Sequence, residues 1–234
     1  MSEKIIAILL AAGRGSRMNS PIKKQFMELN GKPILYYSLK AFEESTVDEV
    51  ILVTDKDDVE FCQKNIVDFY QFEKVSRIIP GGNERFRSVL EGLKICNNCG
   101  YVLIHDSARP FLSQELISEV IKEVKVHDAV LPAVPTKDTI KVVNARGEVV
   151  ETPARTSIYL AQTPQAFAME EIMRANAKML AKPIPGLKVT DDAMVVEHYG
   201  TCKVHVVMGD YDNIKVTTPG DIPIALSILE RRRF

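Results

Sequence analysis

A glycine-rich turn close to the start of the chain is the first place where residue types and spacing could do chemistry. Gly13 and Gly15 let the backbone come close to a ligand and point consecutive N–H groups at it. Arg17 and Lys24 add positive charge beside the turn, which suits a polyphosphate better than a neutral molecule. A tight surface turn with solvated basic residues would have the same local pattern, since short glycine motifs match by chance.

This turn differs from the two common phosphate-binding loops. Met18 stands where a GxGxxG motif has its third glycine, and no Gly-Lys-Ser/Thr sequence follows, which excludes a Walker-type loop. The sequence LLAAGRGSRM, followed by Lys24-Gln25, resembles instead the N-terminal signature of nucleotidyltransferases that join a nucleotide to a phosphorylated sugar or alcohol.

A second glycine turn, Gly81-Gly82, comes directly before a helical pattern of apolar residues. A glycine pair at a helix N-terminus can bind an anion or a base. Asn83 and Ser88 offer both hydrogen-bond donors and acceptors, which reading the edge of a pyrimidine requires. Asn83 could instead be only the N-cap of that helix.

Asp106 follows the strongly apolar stretch Tyr101–Ile104, which predicts a strand. Ligands of open α/β sheets bind at the carboxyl ends of the strands, so this carboxylate is well placed for function. It could hold a magnesium ion, a ribose hydroxyl or a basic substrate-binding residue. The structural alternative is an Asp106–Arg109 pair that stabilises the turn, and we assign His105 no role.

Two other polar groups have simpler explanations than a metal site. Cys96 and Cys99 have the spacing of half a zinc site or of a redox pair, but no second close pair follows and the histidines are scattered. We interpret them as reduced thiols at a helix end. Thr190, followed by Asp191 and Asp192, is interpreted as the N-cap of a helix with two acids at its positive end.

Alternating strands and helices must position these groups. The apolar run Ile5–Leu10 predicts a strand buried on both faces, a helix follows Pro33, and Glu49–Thr54 predicts another buried strand. This βαβ beginning implies an α/β domain, spanning residues 1–234, with a mostly parallel twisted sheet. Similar patterns predict helices over 57–72, over 114–125 with Ser113 as cap, and over 169–180; strands over 76–80, 129–134 and 203–208; and a last helix from Thr218-Pro219 to a solvated basic end at 231–233.

Residues 137–157 differ in character from the rest of the chain. Their alternation, around a turn at residues 144–147, predicts a β-hairpin polar enough to protrude as an arm. An isolated two-stranded arm is only marginally stable in water, so we expect it to pair with another subunit in a homodimer.

Composition excludes several classes of function. The formal net charge of -1 argues against a general nucleic-acid or polybasic membrane binder, so any phosphate site must be a local cluster. The apolar runs are shorter than the ~20 residues that span a bilayer. The N-terminus leads straight into a strand and does not resemble a signal peptide. A cytoplasmic protein is expected.

Eight blocks, in chain order, resemble the 2-C-methyl-D-erythritol 4-phosphate cytidylyltransferase family, the IspD family of nucleotidyltransferases. They are LLAAGRGSRM, Lys24-Gln25, GGNERFRS, HDSARPF, KDTIK, QTPQAF, TDDA and DNIKVTTPGD. The resemblance implies a single Rossmann-like nucleotidyltransferase domain and a homodimer that exchanges the arm. It also implies the conversion of CTP and an alcohol phosphate to a CDP-alcohol and pyrophosphate in non-mevalonate isoprenoid biosynthesis.

The resemblance further implies roles for individual residues. Arg17 and Lys24 resemble the pair that stabilises the transition state on the triphosphate. Arg155 and Lys215 resemble the residues that position the methylerythritol phosphate, with Arg155 reaching into the partner's site. The alcohol-phosphate pocket would include Asp106, Arg109, Thr139 and Thr163, and cytosine and ribose would be held by Ala11, Ala12, Gly82, Asn83, Ser88 and Ser107.

Three positions depart from the family's pattern. Pro21 is displaced from the residue before the Lys-Gln pair, which leaves Lys23 as an alternative to Lys24 for facing the phosphates; we choose Lys24 because it adjoins Gln25. Asn83 stands where aspartate is common, and Ser107 replaces a usual alanine.

The chemistry that the resemblance implies needs no catalytic base. The nucleophile would be the substrate's own phosphate, whose second pKa of about 6 leaves it largely dianionic at neutral pH. Mg²⁺ would lie mainly on the CTP phosphates, with Asp106 or Asp212 as candidate protein ligands. The alternatives are a ribitol-5-phosphate cytidylyltransferase and, in a different class, a non-catalytic nucleotide-binding regulatory module.

Overall fold

Strands and helices alternate through most of the chain. The structure is a computed structural model that describes residues 3–13, 15–18 and 20–232; Arg14 of the glycine turn and Arg233 of the basic end lie outside them. The strands are β1 (Ile5–Leu10), β2 (Glu28–Leu29), β3 (Lys32–Pro33), β4 (Glu49–Thr54), β5 (Val75–Pro80), β6 (Tyr101–Asp106), β7 (Ala129–Pro135), β8 (Val142–Val143), β9 (Val149–Glu151), β10 (Tyr159–Ala161), β11 (Gln165–Ala168) and β12 (His205–Met208). The helices are α1 (Ile34–Glu43), α2 (Val59–Cys62), α3 (Arg85–Ile95), α4 (Gln114–His127), α5 (Met169–Ala181), α6 (Asp192–Tyr199) and α7 (Asp221–Arg232).

Strand β1 lies at the centre of the main sheet, as its unbroken apolar run predicts. It pairs in parallel with β4 on one side and with β6 on the other, and β5 extends the sheet beyond β4. Beyond β6 lies β11, which is antiparallel to both β6 and β7. Strand β7 also pairs with β10, in antiparallel orientation, and with β12, in parallel. Among the described residues this makes an 8-stranded sheet. The prediction of a mostly parallel sheet is confirmed.

Both faces of the sheet are covered by helices, because successive side chains of a strand point to opposite faces. Ile5, Ala7 and Leu9 pack with residues of α1 and α4 in one apolar cluster. Ile6 and Ile8 pack with α3, α5 and α6 in a second cluster on the other face. Strands buried on both faces are held rigidly, so the loops at their carboxyl ends start from fixed positions.

Most predicted elements are present, with small shifts at their ends. The helix expected over 57–72 is irregular: a 3₁₀ turn at Lys56–Asp58 precedes α2, and a π-helical stretch, Gln63–Asp68, follows it. The last helix begins at Asp221, two residues after Pro219. In the described part of the chain, no helix is both long and apolar enough to cross a bilayer.

The predicted cap Ser113 is confirmed, the predicted cap Thr190 is wrong, and the alternative of Asn83 as a cap is not supported. The Ser113 hydroxyl accepts the N–H of Leu116 at 3.2 Å and caps α4, as expected. The N-cap of α3 is Glu84 rather than Asn83, and the N-cap of α6 is Asp191 rather than Thr190. In both cases the helix begins one residue later than its sequence pattern suggested, which leaves Asn83 available for another role.

The predicted hairpin is present and consists of β8 and β9 in antiparallel pairing. The Asn144 side-chain oxygen accepts the N–H groups of Arg146 and Glu148 and closes the turn. Apolar residues on the hairpin are exposed, with 54% of Val143 and 58% of Val149 accessible. A hairpin with this much exposed apolar surface is expected to be covered, and its pairing with a second subunit stays a prediction.

Candidate active site

A cavity of about 930 Å³ opens at the carboxyl ends of β1, β4 and β6. Its size lies in the range of ~300–1,000 Å³ that is usual for ligand pockets. It brings together many of the residues singled out from the sequence: Ala11, Ala12, Gly13, Lys24, Gly82, Asn83, Ser88, Asp106, Ser107 and Lys215. The glycine turn, the second glycine turn and the tip of β6 therefore face one space.

Six predicted site residues are not part of that lining within the described chain: Gly15, Arg17, Arg109, Thr139, Arg155 and Thr163. Gly15 packs against Lys24, and the Thr163 hydroxyl bonds the backbone of Asp106, so both lie behind lining residues. Arg17 is exposed, and its charge acts on Lys24. Arg109 is bound to backbone oxygens next to the site. Thr139 and Arg155 lie on the arm segment and are exposed.

The first glycine turn fixes Lys24. Gly15 has a φ of +64°, and a Cβ atom added there would lie 3.1 Å from the Cβ of Lys24, so the lysine stem packs on a glycine backbone. The next residue, Gln25, is buried and donates from Nε2 to the Ala11 carbonyl oxygen at 2.7 Å. This glutamine has no role in our reading of the sequence, yet it joins the two ends of the turn.

The charges of Lys24, Lys215 and Arg17 act on one another. Burial lowers the pKa of Lys24, and the positive charges of Lys215 and Arg17 lower it further. An anion in the cavity would relieve this repulsion. Lys23 points elsewhere, since its ammonium group lies 2.6 Å from Asp58 and 3.7 Å from Asp55. Of the two lysines, Lys24 is the one that lines the cavity.

The second glycine turn depends on Ser88. Its hydroxyl accepts the N–H of Gly82 at 3.1 Å and is buried. A Cβ atom at Gly81 would lie 2.6 Å from that hydroxyl and 2.9 Å from the Cβ of Ala12, so only glycine fits between the two turns. Asn83, exposed at the cavity, keeps its side chain available to a ligand.

Asp106 pairs with two basic residues of the site. One of its oxygens, Oδ2, lies 2.5 Å from the Lys215 ammonium group, and Oδ1 lies 3.2 Å from Nε of Arg85. Burial by itself would raise the pKa of this carboxyl, but the charges of Arg85 and Lys215 hold it well below its usual range. Asp106 is therefore an anion that holds a basic residue, one of the roles considered for it.

Arg85 is a cavity-lining residue that was not singled out from the sequence. Its guanidinium bridges Asp106 and Asp192, with Nη2 2.8 Å from the Asp192 carboxylate. Burial would lower the pKa of Arg85, but the two carboxylates raise it. Burial dominates at Asp192 and raises its pKa. The sequence did contain the two partners, an arginine in the GGNERFRS block and two acids in the TDDA block. Neither block indicates that these side chains lie in contact.

Gln165 holds Asp192 in place. Its side-chain oxygen accepts the N–H groups of Asp192 and Ala193 at 3.0 and 2.9 Å, and its Nε2 donates to Asp191. Both acids lie at the positive end of α6 as expected, Asp191 as its N-cap in place of Thr190 and Asp192 in its first turn. Asp192 is an ion-pair partner of Arg85, so the TDDA block reaches the site through that arginine.

Thr163 and His105 support the backbone of Asp106 from behind. The Thr163 hydroxyl accepts the N–H of Asp106 at 3.1 Å and lies 2.9 Å from Nδ1 of His105. The Arg109 carbonyl oxygen, 3.1 Å from Nε2 of His105, can only accept, so Nε2 carries the proton and Nδ1 accepts from the threonine. Burial lowers the pKa of His105 to about 4, which keeps the ring neutral.

Arg109 does not form the pair with Asp106 that was the structural alternative. Its Nη1 donates to the Asn213 carbonyl oxygen at 2.6 Å and its Nη2 to that of Ala161 at 3.3 Å. Among the contacts of the described residues, Arg109 and Asp106 share the backbone hydrogen bond of a turn, at 2.9 Å. The turn is thus held by main-chain groups, and Asp106 is left for Lys215.

The two carboxylates considered as magnesium ligands, Asp106 and Asp212, are both paired with basic residues. Both oxygens of Asp106 are bound by Arg85 and Lys215. Asp212, the other candidate ligand, does not line the cavity and pairs with Arg231 and Arg232 at 2.5 and 3.2 Å. This pairing argues against Asp212 as a metal ligand, and it shows that these two arginines form ion pairs rather than a purely solvated basic end.

Fold and site together define a Rossmann-like α/β protein with a lysine-lined cavity at the carboxyl edge of its sheet. The family model described as "IspD: 2-C-methyl-D-erythritol 4-phosphate cytidylyltransferase" matches residues 5–231. The chain belongs to this family, which confirms the resemblance read from its sequence blocks.

Relatives and solved structures agree with this assignment. A 2-C-methyl-D-erythritol 4-phosphate cytidylyltransferase of Lachnospira eligens is 49% identical over 221 residues, which are 94% of this chain and 96% of that protein. One of Lachnoclostridium phytofermentans is 44% identical over 99% of this chain and 98% of its own length. The crystal structure of 4-diphosphocytidyl-2C-methyl-D-erythritol synthase from Anaerococcus prevotii superposes with a TM-score of 0.85 at 38% identity, covering 97% of this chain and 99% of that one.

Proposed function

We propose that this protein is a cytidylyltransferase that converts CTP and 2-C-methyl-D-erythritol 4-phosphate to 4-diphosphocytidyl-2-C-methyl-D-erythritol and pyrophosphate, a step of non-mevalonate isoprenoid biosynthesis. The observation that carries the proposal is that Lys24 and Lys215 line one cavity from opposite parts of the chain. Two cations that repel each other across a cavity at a sheet's carboxyl edge suit two phosphate-bearing substrates. Membership of the family points to these two substrates.

The reaction is an in-line displacement at phosphorus. An oxygen of the alcohol phosphate attacks the α-phosphorus of CTP, a new P–O bond forms, and the bond to the bridging oxygen breaks as pyrophosphate leaves. The protein's task is to hold two anions together and to stabilise the negative charge that develops. Lys24, with Arg17 beside it, is proposed to stabilise the triphosphate as its α-phosphorus becomes five-coordinate.

The alcohol phosphate is assigned to the end of the cavity that Lys215 occupies. Asp106 fixes the ammonium group of Lys215, and Arg85 in turn fixes Asp106. A lysine held in this way does not have to lose side-chain freedom when the substrate binds. The ion pair with Asp106 also partly neutralises the charge of Lys215, so that Lys215 attracts the phosphate nucleophile without immobilising it.

The nucleoside is assigned to the space between the two glycine turns. Backbone groups of Ala11 and Ala12 form one wall and the turn at Gly82 and Asn83 forms the other. The Asn83 amide can both donate and accept, which supports its reading of a cytosine edge. Ser88 supports this wall through its hydrogen bond to Gly82.

A second subunit is proposed to complete the alcohol-phosphate end. Arg155 and Thr139 belong to the arm segment and are exposed, and the Arg155 guanidinium donates to the Lys137 carbonyl oxygen at 3.2 Å. In a homodimer that exchanges arms, Arg155 of one subunit would face the cavity of the other. The exposed valines of the hairpin support this arrangement, because pairing would bury them.

Magnesium is proposed to come with the nucleotide, because both oxygens of the cavity-lining Asp106 are already bound by Arg85 and Lys215. When bound, the ion would supply charge neutralisation on the triphosphate. Lys24 and Arg17 add fixed positive charge beside that group and orient it.

Pyrophosphate release tests the proposal. The protein is incubated with CTP, ATP, GTP or UTP and with either 2-C-methyl-D-erythritol 4-phosphate or ribitol 5-phosphate. We expect release with CTP and the methylerythritol phosphate and little with the other pairs. Turnover with ribitol 5-phosphate instead would reassign the substrate, and nucleotide binding with no turnover of either alcohol phosphate would indicate a non-catalytic module.

A further inference from the structure

Three metal-ligating side chains meet far from the cavity. Glu123 and His127 lie four residues apart on α4, and His205 is the first residue of β12. One ligand atom from each lies within 4.8 Å of the other two. Residues 127 and 205 are distant in sequence, so the fold and not the local helix pattern brings the imidazoles together.

We propose that Glu123, His127 and His205 form a binding site for one zinc-class divalent transition-metal ion. Two imidazoles and one carboxylate are a usual zinc ligand set, and the remaining position is open to water. Zinc holds its nitrogen and oxygen ligands at about 2.0–2.2 Å, which places neighbouring ligand atoms of a tetrahedron about 3.3 Å apart. The Glu123 Oε2 to His127 Nε2 distance is 3.4 Å, close to that spacing.

The surroundings of the three residues allow an ion to enter. Lys122 binds the other oxygen of Glu123, Oε1, at 3.0 Å, so Oε2 can take a metal while that ion pair persists. Lys122 is also neutralised by Glu119 at 3.2 Å. The two imidazole rings are stacked, with centroids 3.8 Å apart and planes 7° apart. One ring has to turn for both to face a single ion, and His205 is exposed and has room to do so.

The position of the site indicates a structural role. β7 and β12 run parallel to β6, because β11 is antiparallel to both β6 and β7. His205 is opposite Val130 near the start of β7, so the three residues lie at the amino ends of these strands, whereas the cavity lies at the carboxyl ends of β1, β4 and β6. An ion there would join the end of α4 to the edge strand β12.

Metal titration of tag-free protein, first stripped with a chelator, tests the proposal. We expect one Co²⁺ per chain with the visible spectrum of a low-coordinate nitrogen and oxygen site, and displacement of Co²⁺ by Zn²⁺. His127→Gln and His205→Gln should each weaken binding at least about tenfold. Zinc at about one hundred times its wild-type Kd should raise the Tm of the wild type by about 5–10 °C and that of the variants by at most about half as much.

Two variants serve as matched controls. His198→Gln removes an exposed histidine on α6, and Cys99→Ala removes a thiol of the Cys-x-x-Cys pair; both should bind Co²⁺ as the wild type does. The proposal is overturned if the wild type binds no metal, if all the variants lose affinity equally, or if a sulfur-to-cobalt charge-transfer band appears and disappears with Cys99→Ala.

Discussion

The Asp106 carboxylate holds the Lys215 ammonium group at 2.5 Å across 109 residues of sequence. Arg85 binds the other carboxylate oxygen, so the aspartate stays ionised although it is buried. This contact joins the tip of β6 to a loop that precedes α7, and with it the cavity acquires its second lysine. Asp106 is therefore expected to act by positioning Lys215.

Asp106→Asn should lower kcat/KM about 10²–10³-fold, because the amide keeps the shape of the carboxylate but cannot hold two cations. We expect the larger loss when the alcohol phosphate, rather than CTP, is the varied substrate. Steady-state kinetics with each substrate varied in turn measure this. Asp212→Asn is the matched control, since Asp212 pairs with Arg231 outside the cavity, and equal losses in the two variants would contradict the positioning role.

Lys24→Ala should lower kcat about 10²–10³-fold and weaken CTP binding less, because the lysine stabilises charge that develops only in the transition state. Lys23→Ala is the control, since the Lys23 side chain pairs with Asp58. Single-turnover rates and direct CTP binding separate the two effects. Unchanged kcat with poorer CTP affinity would instead assign Lys24 to ground-state binding.

The activity should decline at high pH earlier than an ordinary lysine would cause. The pKa of Lys24 is lowered by burial and by the charges of Lys215 and Arg17. As the pH rises, Lys24 therefore loses its charge before the pH reaches 10.5, the usual pKa of a lysine. Lys24→Arg keeps the charge at those pH values and should move the decline in kcat/KM upward. A pH profile of kcat/KM for CTP checks this, and superimposable profiles would show that another group controls the decline.

His105 should make the protein sensitive to mild acid. Its pKa is lowered from 6.5 to about 4 by burial, so between these values the unfolded chain binds a proton that the folded chain excludes. The free energy of unfolding should therefore fall by up to about 3 kcal/mol as the pH falls through this window. Urea unfolding from pH 7 to pH 4 measures the fall.

His105→Gln isolates that effect from the titration of carboxyl groups. The variant should be less stable at pH 7, because it loses the hydrogen bonds to Thr163 and Arg109, but its stability should change less between pH 6.5 and 4. Parallel curves for the wild type and the variant would mean that the buried histidine does not cause the acid sensitivity.

Arg85→Gln should destabilise the fold by about 3–5 kcal/mol, because it leaves the buried carboxylates of Asp106 and Asp192 without this cation. Adding Asp192→Asn should recover part of the loss. A double-mutant cycle in urea measures the coupling between the two positions. Strictly additive effects would show that the ion pair contributes nothing to stability.

Much of the fold was accessible from local patterns. The apolar run Ile5–Leu10 and the strand Glu49–Thr54 are buried on both faces, and runs of that kind occur almost only in parallel sheets covered by helices. The hairpin was predicted from its alternation and its turn at Asn144. Helix ends were less predictable: α3 begins after Glu84, which makes no side-chain capping hydrogen bond, although Asn83 is the better N-cap residue by type.

The amino-acid sequence alone determined the class of sheet, the two glycine turns, the choice of Lys24 and the family. These depend on local periodicity and on motifs whose chemistry is contained in a few neighbouring residues. Only the tertiary structure decided that Arg85 meets Asp106 and Asp192, that Asp212 pairs with Arg231, and that His127 meets His205. Such contacts join side chains that are far apart in sequence, and their energies depend on burial and on the whole set of charges around them, which no local pattern contains.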